Sequence, residues 1–296
     1  MGIFGGNYDR VGPGVSKSAP QKNRFFFFFE MLGRKFTKLV PLNLLYVITL
    51  IPLFLLIALT VRFHPGMYDA NGDFAATNIS SAPLFAINIF PSDPHFFVVV
   101  LLLVASVLLT GPATCGMTFV LRNMQREEHA WIFSDFKERF VKNFKQGVAM
   151  SAIDIFVPII LYNAFAFYTY EMPFAIGKYF IIFLAVMFIM MRYYIYTMIV
   201  TFDMKIKDIL RNSVIFAIAK LPLNIFITFV ILLILFLSIW YMMVGFILLI
   251  LITLSLLGFF IVYSVYPTIE ASMIDPQTPE TSAEDRDDEK DFEDID

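Results

Sequence analysis

The chain has 296 residues, of which 58% are hydrophobic and only 16% charged, with a mean hydropathy of +0.73. A soluble domain carries about 25% charged residues, so this composition excludes an ordinary water-soluble globule. The single cysteine, Cys115, excludes an intrachain disulfide and a multi-cysteine metal cage, and the net charge of −3 hides a strong asymmetry along the chain.

Residues 1–38 are polar and basic around one aromatic run, Phe25–Phe29, unlike the short basic start and apolar core of a cleavable signal peptide. Phe25, Phe29, Leu32 and Phe36 share one helical stripe, while Glu30, Arg34 and Lys38 line another face at four-residue spacing. This predicts an amphipathic helix lying in the membrane interface, supported slightly by the Glu30–Arg34 pair. Consecutive phenylalanines cannot all share one face, so Phe27 must meet lipid headgroups or another helix. The segment reads as a membrane anchor or, more sharply, as a docking elbow for a partner subunit.

Residues 39–269 form an all-α, polytopic transmembrane helical bundle with six expected spans: Leu39–Val61, Phe96–Leu121, Val148–Tyr170, Tyr179–Phe202, Leu221–Trp240 and Val244–Tyr266. The last two follow from length. Leu221–Ile269 carries no charged residue, and as one helix it would reach about 70 Å, more than twice a hydrocarbon core. It must fold back near Trp240–Gly245 in a very tight turn, as two full spans or as a re-entrant pair.

Seven Lys and Arg residues precede the first span, six lie between the second and third, and four between the fourth and fifth. The other face offers only Arg62 and Lys178. The positive-inside rule therefore puts both termini in the cytoplasm.

The outer loop from Arg62 to His95 is rich in turn signals, including Pro65-Gly66, Asn71-Gly72 and Pro91-Ser92-Asp93-Pro94. Its His64, His95, Asp69, Asp73 and Asp93 lack the spacing of a helical zinc site, and Asn78-Ile79-Ser80 is a formal glycosylation acceptor. His129 adjoins Glu127 and Glu128 with no nucleophile beside it, and no glycine-rich phosphate loop occurs. No enzymatic activity, catalytic residue, metal, cofactor or nucleic-acid partner is expected.

Between the second and third spans, Trp131, Phe133, Phe136, Phe140 and Phe144 recur mostly at spacings of three and four, with Lys137, Glu138, Arg139, Lys142 and Lys145 among them. This is a cytoplasmic amphipathic helix, lying on the bilayer or docking a partner. ABC permeases use such helices to engage their ATPases, but Gly147 followed by Ile155-Phe156-Val157-Pro158 has too short a spacing for their loop signature.

Two ionisable residues, Asp154 and Arg192, fall inside spans, where an unpaired charge costs about 2.5–3.5 kcal/mol. They lie at comparable depth, about 9 Å and about 15 Å from the cytoplasmic ends of the third and fourth spans, so a pair between adjacent antiparallel helices is expected. Tyr193, Tyr194 and Tyr196 follow on the same helix, with Tyr162, Asn163 and Tyr168 on the other. Such a mixture is either an interfacial aromatic belt around a static pair or a polar pathway able to bind a sugar. A faint internal echo links Lys145-Gln146-Gly147-Val148 with Arg211-Asn212-Ser213-Val214. Residues 270–296, acidic beyond Pro279, read as a disordered cytoplasmic tail.

Gly12-Pro13-Gly14-Val15 with Lys17, the Phe-rich segment, Thr110-Gly111-Pro112-Ala113, Leu121-Arg122-Asn123, Ser134-Asp135-Phe136 and Val200-Thr201-Phe202-Asp203 together resemble the YesL family of bacterial multi-pass membrane proteins. The likeness extends to about Ile269. It implies a bacterial cell membrane location and an accessory or regulatory role beside a carbohydrate ABC uptake system, with permease subunits or a solute-binding protein as partners besides the lipid bilayer. Arg122, Trp131, Asp135 and Phe136 are the expected docking contacts. The alternative is a stand-alone solute transporter whose polar site between the third and fourth spans uses Asp154, Arg192, Tyr193 and Tyr196.

Overall fold

A computed structural model of the chain describes residues 24–62, 96–172 and 175–274. The N-terminal glycine motif, the outer-loop histidines and aspartates, Asn78 and the acidic tail from residue 275 lie outside them. The described residues form α1 (Arg24–Arg62), α2 (Phe96–Gln125), α3 (Ile132–Lys142), α4 (Phe144–Ala166), α5 (Ala175–Thr201), α6 (Ile206–Ala219), α7 (Leu221–Trp240), α8 (Met242–Leu248) and α9 (Leu254–Ile269). π-helical turns at Phe167–Glu171, Leu249–Thr253 and Glu270–Ile274 extend α4, join α8 to α9 and continue α9 into the start of the expected tail. Among the described residues there is no strand, and six helical stretches are long and apolar enough to cross a membrane. The protein is an all-α, multi-pass membrane protein.

Helix α1 contains both the expected interfacial segment and the first span. The chain divides into a unit ending at Phe36 and a second beginning at Thr37. In the first unit Phe25, Phe26 and Phe29 are exposed, and their rings meet edge to face at centroid distances of 5.7 Å (Phe25–Phe26) and 5.0 Å (Phe25–Phe29).

In the second unit α2 is the central helix. Its first half is largely open, with Phe97 and Leu101 exposed, as suits lipid. Every residue from Thr110 to Met124 is buried, on all sides of the helix, by α3, α4, α5 and α9. Small residues make this close approach feasible. A Cβ added at Gly147 on α4 would lie 2.6 Å from the nitrogen of Pro112, and one added at Gly111 would strike the carbonyl of Gly147. The Gly111 amide donates instead to Ser151 Oγ at 2.8 Å, and Ser151 Oγ donates to Gly147 O at 3.0 Å. Without solvent between them, helices in a bilayer pack through such small-residue contacts and interhelical hydrogen bonds.

Helix α2 stops in a Schellman motif. Glu128 N bonds Asn123 O at 2.9 Å and Glu127 N bonds Met124 O at 3.2 Å, with Glu127 left-handed at φ 58°. The amide of Trp131 then donates to Asp135 Oδ2 at 2.9 Å, closing the start of α3. Helix α3 turns Phe136 onto α2, where the carbonyl of Phe136 would lie 2.8 Å from a Cβ at Gly116. Its other face leaves Trp131, Phe133 and Val141 exposed.

The long uncharged stretch folds back at one non-helical residue, Tyr241. Phe226 meets Phe260 at a ring separation of 6.2 Å, so α7 runs antiparallel to the α8–α9 stretch. A side chain at Gly245 would collide with the backbone of Ser238, which fixes how sharply the chain turns. Helix α7 has 20 residues, enough for about 30 Å, so both limbs have full-span length.

Fully buried Asn43 on α1 spans the π-helical stretch between α8 and α9. Its Nδ2 donates to Leu249 O at 2.9 Å and Ile250 O at 2.7 Å, while its Oδ1 accepts from Ser255 N at 2.8 Å. The π geometry displaces regular helical partners, and Asn43 supplies substitutes where water cannot.

Candidate solute-binding cavity

Arg192 and Tyr196 stand four residues apart on α5 and so share one face. Both reach Asp154 on α4. Arg192 Nε lies 2.9 Å from Asp154 Oδ1, and the Tyr196 hydroxyl donates to Asp154 Oδ2 at 2.5 Å. The side chain of Asp154 is 6% exposed and that of Arg192 is 43% exposed. The difference arises because Arg192 borders two cavities, whereas Asp154 is enclosed between helices. Among the described residues Asp154 is the one partner of this guanidinium, so the donors of its two terminal nitrogens have no protein acceptor.

The first cavity, about 320 Å³, lies among α1, α2, α5, α7 and α9. Its polar wall is made by Tyr46, Thr114, Thr118, Arg192, Tyr193, Tyr196 and Thr197, and its apolar wall includes Leu254, Leu257 and Gly258. Tyr46 and Thr114 share a hydroxyl hydrogen bond of 2.9 Å, as do Tyr193 and Thr228. Thr114 and Thr118 are spaced to face the same way on α2. The second cavity, about 360 Å³, lies between α4 and α5 and is apolar except for Tyr162 and Arg192. Arg192 thus stands between a cleft lined by Pro158, Leu161, Phe165 and Phe188 and a chamber lined by hydroxyls.

Chemically, the pair is neutral as a unit. It offers a planar set of N–H donors surrounded by hydroxyls that both donate and accept, in a volume at the lower end of small-molecule sites. Of the residues singled out in sequence, Asp154, Arg192, Tyr193 and Tyr196 come together here. Tyr194 does not join them: it is fully buried, donates to Asn224 Oδ1 at 2.7 Å and stacks on Phe216. The cavity also takes Tyr46, Thr114, Thr118 and Thr197, whose only mark in the sequence is that hydroxyl-bearing residues recur inside apolar spans.

The four expected docking residues do not form one exposed surface. Arg122 is 9% exposed, and its Nη1 donates to Val200 O at 2.8 Å. Phe136 is 4% exposed. Asp135 has its carboxylate engaged by the amide of Trp131. Trp131, 67% exposed, is the one that presents its side chain outward. Among the described residues no group of three or more His, Cys, Asp or Glu is placed to hold a metal ion.

A family model described as "Protein of unknown function, DUF624" matches residues 94–165. That stretch covers α2, α3 and most of α4, and so includes the Gly111–Gly147 crossing and Asp154 but not Arg192. No curated protein and no solved structure gives a significant match.

Proposed function

We propose that this chain is a bacterial cell-membrane protein that binds a neutral, hydroxyl-rich solute, in the first instance a carbohydrate, around Arg192 and conducts it across the bilayer. The reading rests on Arg192, held by Asp154 yet offering its terminal donors to two cavities inside a helical bundle. A neutral ion pair has little reason to attract a free ion. Paired N–H donors beside tyrosine and threonine hydroxyls match the alternating donors and acceptors of a sugar. The distribution of Lys and Arg supports cytoplasmic termini, and no catalytic step is assigned to the cavity.

Uptake of labelled sugars into liposomes containing only the purified protein tests this. Arg192→Lys keeps the charge but loses the planar fork, and should lower uptake about tenfold. Absence of both sugar binding and sugar uptake by the unaltered protein sinks the proposal.

A second reading, an accessory component of a carbohydrate ABC importer, draws on the exposed Trp131 and Phe133 of α3. It also draws on the match over residues 94–165 to DUF624, the family model associated with YesL-like proteins. Under it, a tagged chain purified from native membranes in mild detergent retains permease or solute-binding protein, and Trp131→Ala with Phe133→Ala releases them. A chain recovered alone on every sugar excludes this reading.

A further inference from the structure

At the basic end of the bundle, the last turn of α5 is closed by side chains of its neighbours. Arg122 Nη1 donates to Val200 O at 2.8 Å and to Thr201 Oγ1 at 3.3 Å, and its Nη2 donates to Asn123 Oδ1 at 3.2 Å. Asn143 donates to Ile199 O at 3.1 Å and Gln146 to Met204 O at 2.7 Å. Helix-terminal carbonyls are thereby satisfied, but every partner of Arg122 is formally neutral. A second guanidinium stands close by. Arg139 Cζ lies 4.1 Å from the centroid of the Phe119 ring, and Arg122 Cζ lies 4.7 Å from the same centroid.

Each guanidinium is attracted to the ring, while the two like charges repel one another at this range. The Nε atoms of both arginines are buried without a hydrogen-bond partner. Arg139 also borders a groove of about 600 Å³, whose wall includes Lys142, Lys145, Thr201 and a single carboxylate, Asp203. Among the described residues Lys142 and Lys145 have no acidic partner. The acidic neighbour of Arg139 is the exposed Glu138, at 3.6 Å. Cationic charge is therefore in excess at this groove, and its donors point to an oxyanion.

We propose that the groove binds a phosphate group, with Arg139 engaging it through its planar fork and Lys142 and Lys145 acting as point charges. Tetrahedral phosphate accepts hydrogen bonds on several oxygens at once and so suits three cations that border one groove. Such a group is carried both by the headgroup of an anionic phospholipid and by soluble phosphate compounds. Val141 and Phe144, which share the wall, suit the acyl region of a lipid. This site is separate from the Arg192 cavity and does not depend on the solute reading.

The test uses the purified full-length protein in neutral detergent, with phosphatidylglycerol, phosphatidylcholine and inorganic phosphate as probes at matched ionic strength. Native mass spectrometry reads lipid retention, and the thermal midpoint reads phosphate binding. A lipid occupant gives preferential retention of phosphatidylglycerol over phosphatidylcholine. Arg139→Gln and Lys142→Gln should each reduce that retention about tenfold, the loss of roughly one charge-assisted hydrogen bond. A soluble occupant gives instead a saturable rise in midpoint with inorganic phosphate, removed by the same substitutions. Lys142 lies outside the Phe119 stack, so Lys142→Gln stays informative even if Arg139→Gln fails to fold. Lys137 does not line the groove, and Lys137→Gln should leave either response unchanged. No response to either probe, or an equal loss in Lys137→Gln, overturns the proposal.

Discussion

At Asp154 both carboxylate oxygens are engaged, one by Arg192 and the other by the hydroxyl of Tyr196. Arg192→Gln strands an enclosed carboxylate, whereas Asp154→Asn leaves a cation that still reaches the cavities. Arg192→Gln should therefore cost about 3 kcal/mol of stability and Asp154→Asn about 1 kcal/mol, with the double substitution milder than their sum. Thermal unfolding in detergent measures this, and equal losses would contradict the assigned exposure of the two groups. The pair was legible in sequence because charges are rare in apolar spans. The hydroxyls facing it from α1 and α2 were not, because the face that Thr114 turns inward is set by which helices surround α2. Arg122 illustrates the same limit. In sequence it is one of several basic residues at a span end, and only the carbonyls of α5, about 80 residues away (residues 200–201 against 122), draw it inside.

Among elements, the crossing of α2 with α4 tolerates the least change. Gly147→Ala puts a methyl group 2.6 Å from the nitrogen of Pro112 and should lower stability by about 1–3 kcal/mol by forcing the helices apart. Ser151→Ala keeps the space but removes the acceptor of the Gly111 amide, for about 1–2 kcal/mol. Thermal midpoints of the two variants rank them, and a neutral Gly147→Ala would mean that the helices separate freely. Asn43→Leu removes the partners of Leu249 O, Ile250 O and Ser255 N together and should cost at least about 2 kcal/mol. Hydrogen exchange at the Ser255 amide, faster in the variant, localises the effect. Spans were readable from hydropathy because length and apolarity are nearly all that a bilayer demands of a helix. The ends are less legible: α4 begins at Phe144 rather than Val148, directly after Asn143, whose side chain donates to Ile199 O of α5 rather than capping α4. The π-helical joint carries no sequence mark, since its stabilising residue lies more than 200 positions away. In Thr110-Gly111-Pro112-Ala113, part of the family likeness, Gly111 and Pro112 have a physical role in the contact with Gly147 and Ser151.

For the molecule as a whole, the expected arrangement puts α3 on the cytoplasmic face and the α4–α5 connection outside. Cys115 is fully buried, so the native chain should resist a maleimide until it is unfolded. Single-cysteine reporters on a Cys115→Ser background can then be read cleanly. Ser134→Cys should react only from the cytoplasmic side and Lys178→Cys only from the outside of oriented vesicles; the reverse pattern would invert the topology. A feature of α2 bears on biogenesis. Part of what encloses Thr110–Met124 is α9, the last α-helix among the described residues. At ribosomal speed, about ten seconds separate the synthesis of these two helices. For that interval the side of α2 that meets α9, with Met117 and Leu121, waits uncovered, and until α5 is made Arg122 lacks its carbonyl acceptors. The newborn chain thus depends on its surroundings, insertase or neighbouring lipid, to shelter the one helix that the mature fold hides best.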